Sequence, residues 1–249
     1  MIEKICRISG EKFVIEKEDL EFYAKMGVIM AKDLSDLLSG KIIDCAGLPT
    51  LCPSERWRRR LTYRNERKLY AGQCDGSGKN TISTYNKNKS FPVYENRYWW
   101  SENWSGLDFG KIFDFSKPFF GQFKSLSDKV PHLAIMNDNG VQSENCEYCF
   151  GFAFGKNCYL VTQSWYVEDG FHSIHCNQSK DFCDCSATQN GCELLYECVN
   201  CFGIYNSLFL QNSMNCSDCL FGLDLIGYKN CIGCVGLRNK EFYVFNKKY

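Results

Sequence analysis

The chain has 249 residues, of which 45% are hydrophobic, and its 29 basic and 29 acidic side chains cancel. That much apolar material supports a packed core and excludes a disordered chain. No run approaches the ~18 apolar residues of a membrane helix, and Met1-Ile-Glu-Lys-Ile-Cys6 lacks the apolar stretch of a secretory signal. The expectation is a soluble cytoplasmic protein with no membrane partner.

Seventeen cysteines are too many and too odd in number for a simple disulfide framework, and a chain of this length does not need one. In a reducing compartment they are thiols or metal ligands. Free cysteine also packs as a small buried hydrophobe. Their distribution splits the chain near residue 140. Only Cys6, Cys45, Cys52 and Cys74 precede that point, whereas all five prolines do. A long proline-free stretch suits continuous sheet, because proline removes a ladder donor. The reading is a head over 1–139 and a repeat region over 140–249.

In chain order, Cys6-Arg-Ile-Ser9-Gly10 opens the head and returns as Cys74-Asp-Gly-Ser77-Gly78. Short strands are expected around 13–15 and 81–85, and helices over 18–25 and 33–38. Pro53-Ser54 opens a third helix, expected to run to about Tyr70. The two C-x-x-S-G segments resemble zinc knuckles with serine in place of the second ligand, and Cys52-Pro-Ser-Glu55 ends in glutamate where a knuckle has cysteine. Two readings stand. Cys6, Cys52 and Cys74, with Glu55 as a fourth ligand, hold one zinc. Alternatively, a duplicated hairpin merely buries its cysteines.

Arg56, Arg60, Arg64 and Arg67 share one face of the third helix, and Arg58, Arg59 and Lys68 add charge. Like charges at this spacing repel, which points to an anionic partner. Nucleic acid phosphate is one such partner. The acidic second half and solvent are others. The aromatic-rich segment 85–123 is expected to cap the open end of the repeat region.

The pattern C-x-x-C, followed by apolar residues around a glycine, starts at Cys146, Cys198, Cys216 and Cys231. This repetition implies stacked units. A unit of 15–18 residues suits one coil of a parallel β-helix with three strands per turn. The cysteines would then fill its interior, with zinc as the competing reading. Asparagine precedes cysteine at 145, 157, 200, 215 and 230, which suggests an Asn ladder along the coils. The lysines of 240–249 would blunt the last edge.

The stretches Cys6-Arg-Ile-Ser-Gly-Glu-Lys-Phe13, Leu51-Cys-Pro53, Tyr98-Trp-Trp-Ser101 and Leu237-Arg-Asn-Lys-Glu241 resemble an uncharacterised bacterial family of cysteine-rich proteins. The resemblance implies a zinc-knuckle-type head on a cysteine-rich repeat. Some members carry a CaiB/BaiF label, which belongs to a larger doubly wound α/β fold. This chain departs from the pattern at about 28–47, where extra residues sit.

The fold expected is therefore mainly β: a short parallel β-helix capped by a small mixed α/β, zinc-ribbon-like region. The function expected is a non-enzymatic binding or scaffolding protein with an unknown protein partner and zinc as its candidate cofactor. Nucleic-acid binding through 56–68 is the first alternative, and a carbohydrate-active β-helix enzyme is the second. No catalytic set emerges.

Overall fold

The computed structural model describes residues 1–61 and 68–249, and the chain divides into two compact units, Met1–Asn65 and Glu66–Tyr249. The compositional break near residue 140 marks where the coils begin. The units divide at a different point in the chain.

In the first unit, β1 (Ile2–Ile5) and β2 (Lys12–Ile15) pair antiparallel, followed by α1 (Lys17–Lys25), α2 (Ala31–Leu38) and α3 (Pro53–Leu61). The Asp19 side chain accepts from the Glu16 amide and fixes the start of α1. Proline at the first position of α3 has no amide to leave unpaired. Phe13, Ile15, Leu20, Leu37, Leu48 and Leu51 form the core together with Cys6 and Cys52. Segment 28–47 leaves and returns at one point. Gly47 (φ +100°) sits so close to Val28 that a Cβ would lie 2.1 Å from its carbonyl oxygen. The third helix ends at Leu61 within the described residues, and Tyr70 begins a strand. The next stretch of the expected helix, 62–67, lies outside the described residues, and the helix does not reach Tyr70.

The second unit opens with a second antiparallel hairpin, β3 (Tyr70–Gln73) and β4 (Asn80–Ser83). Then come β5 (Val93–Tyr94), α4 (Asn96–Trp99), α5 (Phe119–Ser127) and β6 (His132–Leu133), with β5 and β6 parallel. From there to the C-terminal segment the chain is a β-solenoid of about eight turns over residues 150–244.

Its coil is 12 residues long, not 15–18. Phe150 pairs with Thr162, Tyr205 with Ser217, and Ser217 with Lys229, all in parallel. Within the coil every third residue points inward and is buried, giving four inward side chains per turn. The residue before it usually takes a left-handed conformation, as Asn145, Asn157, Asp169, Asn200, Asn212 and Asp218 do. Each side of the coil is thus three residues, closed by a left-handed corner. The cysteine pairs mark successive inward positions rather than whole coils. Their starts at 198, 216 and 231 are separated by multiples of three that are not multiples of 12, so each pair starts on a different side of the coil, and Cys219 and Cys231 share one. One extra residue enters between the inward Thr188 and Cys192, and there the register widens by one (Ser186 opposite Val199).

So narrow a coil admits few large side chains. Where one enters, a glycine vacates space. A Cβ on Gly170 would lie 2.2 Å from the Phe182 ring of the next coil, and one on Gly155 2.1 Å from Phe152. Serine and cysteine fill the remaining positions alike. Ser207 Oγ donates to Tyr205 O (2.9 Å) and accepts from the Cys219 amide one coil on (3.1 Å). Cys216 Sγ donates to Met214 O (3.3 Å), and Cys192 Sγ accepts from the Ile204 amide (3.4 Å). At the corners Asn145 donates to Asn157 and Asn157 to Asp169, while Asn200 donates to Asn212 and Asn212 to Asp224. These are separate short ladders, completed by aspartates, and not the single expected ladder: Asn200 and Asn215 stand at corners other than that of Asn145 and Asn157.

Part of the aromatic segment is exposed, while its Asn96 donates to Asn137 O (3.0 Å) at the start of the coils. Ile112 is 97% exposed and Phe115 93%, and Phe119, Phe120 and Phe123 are exposed as well. The first coil is closed by 136–143. Asn137 donates to the carbonyls of Cys146 and Cys149 (3.1 and 2.7 Å), Phe152 donates to Met136 O (3.2 Å), and Asp138 accepts from the Phe154 amide (3.1 Å). Short polar side chains satisfy ladder groups at an end where bulky rings have no hydrogen bonds to offer. At the far edge of the strand order, Lys247 and Lys248 form the outermost strand and are exposed.

If large and small inward residues are matched pairs, Gly170→Ala should cost about 1–3 kcal/mol in urea denaturation. The loss should shrink when Phe182→Leu is added. Equal losses in both backgrounds would show that the two positions do not compete for one space.

Candidate functional sites

The two C-x-x-S-G hairpins are built alike. In the first, the Cys6 amide donates to Glu11 O (2.8 Å) and the Gly10 amide to Cys6 O (2.9 Å). In the second, the Cys74 amide donates to Lys79 O (2.8 Å) and the Gly78 amide to Cys74 O (2.9 Å). Gly10 and Gly78 share a φ of +72°, a conformation that favours glycine. Both turns wrap backbone N–H groups around a sulfur. Burial by itself raises the Cys6 thiol, but hydrogen bonds from Ser9, the Cys52 amide and the Ile8 amide outweigh it and lower the pKa to about 6. Cys74 is also lowered. Burial raises it and bonds from Ser77, Glu95 and Gly76 pull it down.

The helix that follows each hairpin supplies the next contact, and here the copies differ. Cys52 immediately precedes α3, and its amide reaches the Cys6 sulfur. Glu95 immediately precedes α4, and its amide reaches the Cys74 sulfur at 3.3 Å. Glu95 therefore stands where Cys52 stands. Around Cys52 Sγ lie Ser54 Oγ (3.1 Å), Glu11 Oε2 (3.4 Å) and Ser9 Oγ (3.7 Å). Beside Cys74, Ser77 Oγ donates to Glu95 Oε1 (3.3 Å).

Of the four expected zinc ligands, three belong to the first unit and one to the second. Cys6 and Cys52 share the first unit's core, and Cys74 belongs to the second unit. Glu55 is ion-paired with Arg58 (2.8 Å). Among the described residues, no three or more His, Cys, Asp or Glu side chains stand as a ready-made metal cluster. The sequence pointed to Cys6 and Cys52 and missed Glu11 and Ser9. The hairpin turn that carries Cys6 also carries those two residues.

Of the basic residues, Arg56 Nη1 donates to the Tyr23 hydroxyl (3.1 Å), Arg58 is held by Glu55, and the Lys68 ammonium lies 5.3 Å from the Tyr70 ring centre. Arg59 is engaged too, and Arg60 is exposed on α3. Arg64 and Arg67 lie outside the described residues.

Inside the solenoid the thiols touch one another. Cys149 and Cys158 are raised by hydrogen bonds with Cys146 and by burial, and Cys185 and Cys201 by hydrogen bonds with Cys198 and by burial. Burial likewise pushes up Cys176 and Cys192. Every cysteine of the coils except Cys183 is buried.

Outside, the register sorts residues into columns. One column alternates in charge: Glu144, Lys156, Glu168, Lys180 and Glu193 are successive partners. Lys156 reaches Glu144 at 3.8 Å and Lys180 reaches Glu168 at 3.6 Å. Another carries no charge along its whole length. Tyr159, Phe171, Cys183, Tyr196, Leu208, Leu220, Ile232 and Val244 succeed one another from coil to coil. Tyr159, Phe171, Tyr196 and Ile232 are exposed. Beside this stripe the Phe209 and Phe221 rings stack 4.9 Å apart at 5°.

No helix among the described residues is long and apolar enough to cross a membrane. Searches against family models and curated proteins find no match to this chain.

The lowered Cys6 thiol fixes a pH dependence. Its folded pKa of about 6 lies below the ordinary 9.0. The stabilisation is therefore full above about pH 9 and is lost as the pH falls through about 6. The stability gap between wild type and Cys6→Ser should narrow on going from about pH 9 to about pH 5.5 in urea titrations. A gap that widens or stays flat would mean the sulfur is not held as a thiolate.

Proposed function

We propose that this protein is a non-enzymatic binding scaffold whose working surface is the uncharged stripe on the solenoid. The observation behind this reading is the unbroken column from Tyr159 to Val244, set on a frame that also carries a charge-alternating column. Soluble proteins rarely keep a contiguous apolar patch unless something covers it. At ~4.8 Å per coil the stripe runs for about 34 Å. A single coil side is about 10 Å wide, which gives about 340 Å². That is below the ~800 Å² per partner of a standard stable interface. The association it supports is reversible, with the stacked rings of Phe209 and Phe221 widening the contact. The partner is a protein with a matching flat apolar face, and a second copy of this chain offers one.

Two other readings have less support. Nucleic-acid binding would use the cations of 56–68, but Arg56 and Arg58 already serve Tyr23 and Glu55. A carbohydrate-active enzyme needs paired free carboxylates on one face, and Asp169, Asp218 and Asp224 each accept from an asparagine of the preceding coil.

Sedimentation of the wild type over a wide concentration range should show reversible self-association, and Leu220→Glu should remove it. Leu220 points outward, so the variant should unfold at nearly the wild-type urea concentration. A wild type that stays monomeric at every concentration would remove the stripe as a self-docking face. A variant that associates equally well would do the same.

A further inference from the structure

We propose that the Cys6–Cys52 corner of the first unit is a binding site for one thiophilic divalent cation of the zinc class. Its anchoring donors are the two sulfurs, with the Glu11 carboxylate as the third protein ligand and water as the fourth. The inference is independent of the scaffold reading, since the stripe lies in the other unit.

Cysteine sulfur and carboxylate oxygen are the donor types zinc prefers, in a tetrahedral set. Both sulfurs are nearly sealed from solvent, Cys6 at 2% and Cys52 at 1% exposure. The Cys6 sulfur accepts hydrogen bonds from the amides of Ile8 and Ser9 in the turn and from the Cys52 amide, which aim it toward the Cys52 corner. The Ser9 hydroxyl bonds to the Cys6 sulfur and lies 3.7 Å from that of Cys52. It bridges the two donors and supplies the outer hydrogen bond that orients them. The Glu11 carboxylate now accepts from the Cys52 thiol and the Ser54 hydroxyl, each at 3.4 Å. When a cation displaces the Cys52 proton to solvent, that acceptor loses one of its two donors and is released to turn toward the metal.

The second hairpin is an internal control. It has the same turn and the same sulfur, but Glu95 replaces the second cysteine and Ser77 ties it down. Tyrosine rings occupy the remaining space, since a Cβ on Gly76 would lie 2.3 Å from the Tyr98 ring. One sulfur in a filled corner is a poor cation site. The structure therefore assigns one ion per chain, with Cys74 and Glu55 outside its ligand set.

The test loads reduced protein with zinc alone, removes the excess, and counts metal by mass spectrometry. Alkylation with and without zinc then shows which cysteines the metal shields. About one zinc per chain should be retained, with Cys6 and Cys52 selectively protected. Cys52→Ser should abolish stoichiometric binding, Glu11→Gln should weaken it about tenfold, and Cys74→Ser should leave it unchanged. The shielding measurement uses the wild type, so a variant that fails to fold does not blunt it. A wild type that retains no zinc overturns the proposal. Protection that falls on Cys74 or on the coil cysteines overturns it as well.

Discussion

The solenoid depends on one backbone constraint, a left-handed corner at nearly every third residue. A left-handed conformation costs an ordinary L-residue roughly 1–2 kcal/mol, and asparagine, aspartate and glycine less. The coil nevertheless places Phe154, Leu160, Tyr166, Leu194 and Phe209 at such corners, beside many asparagines and aspartates. Strain on that scale persists only if the surroundings over-determine it. They do so through parallel pairing with the coils on either side, and through corner side chains that bond to the corner twelve residues on. Asn206 reaching Asp218 at 2.6 Å is one such bond.

The same constraint explains the cysteines. A coil with three residues per side leaves an interior too narrow for a row of leucines, and the carbonyl two positions before an inward residue, already paired with an amide of the next coil as Val199 O is with Asn212 (2.9 Å), keeps a second lone pair that a short side chain can reach. Cysteine suits both conditions. It is small, it is among the most readily buried side chains, and its S–H donates to that carbonyl at Cys158, Cys185, Cys201, Cys219 and Cys231. Serine does the same at Ser164, Ser173 and Ser213. The sulfur of the coils is thus packing material with a weak donor. The sulfur of Cys6 accepts several backbone donors and behaves as an anion. One residue type donates at these coil positions and accepts in the Cys6 and Cys74 turns, because the hydrogen bonds around it run in opposite directions.

The parallel stacking was legible in the sequence because cysteine recurs with asparagine before it, and that asparagine marks the left-handed corner. The coil length was not legible. Pairs three residues apart recur at separations that are multiples of the side, so they report the three-residue side and conceal the 12-residue turn. The single extra residue before Cys192 shifts the phase once more. The duplicated hairpins were visible as C-x-x-S-G. That Glu95 replaces Cys52 was not visible, because it depends on which residue precedes each helix. The uncharged stripe is equally hidden. Phe171 and Leu220 look unrelated until the register places both in one column. Richness in rings suggests burial, whereas closing a coil end calls for donors and acceptors such as Asn137 and Asp138, and from the aromatic segment it is Asn96 that bonds there.

Register also separates the readings of the outer surface. Two aromatic pairs at the coil spacing lie face to face, Phe154 with Tyr166 at 4.8 Å and 8° and Phe209 with Phe221 at 4.9 Å and 5°. A ring stacked on its neighbour has spent a face, and stacking on a sugar or a base requires a free one. In those two pairs the ladder leaves ring edges and the outer faces, whereas Tyr159 and Tyr196 meet neighbouring rings edge to face. Edges and aliphatic groups set in a straight, rigid row complement another flat apolar protein surface. The regularity that relieves the backbone strain also narrows what the surface can bind.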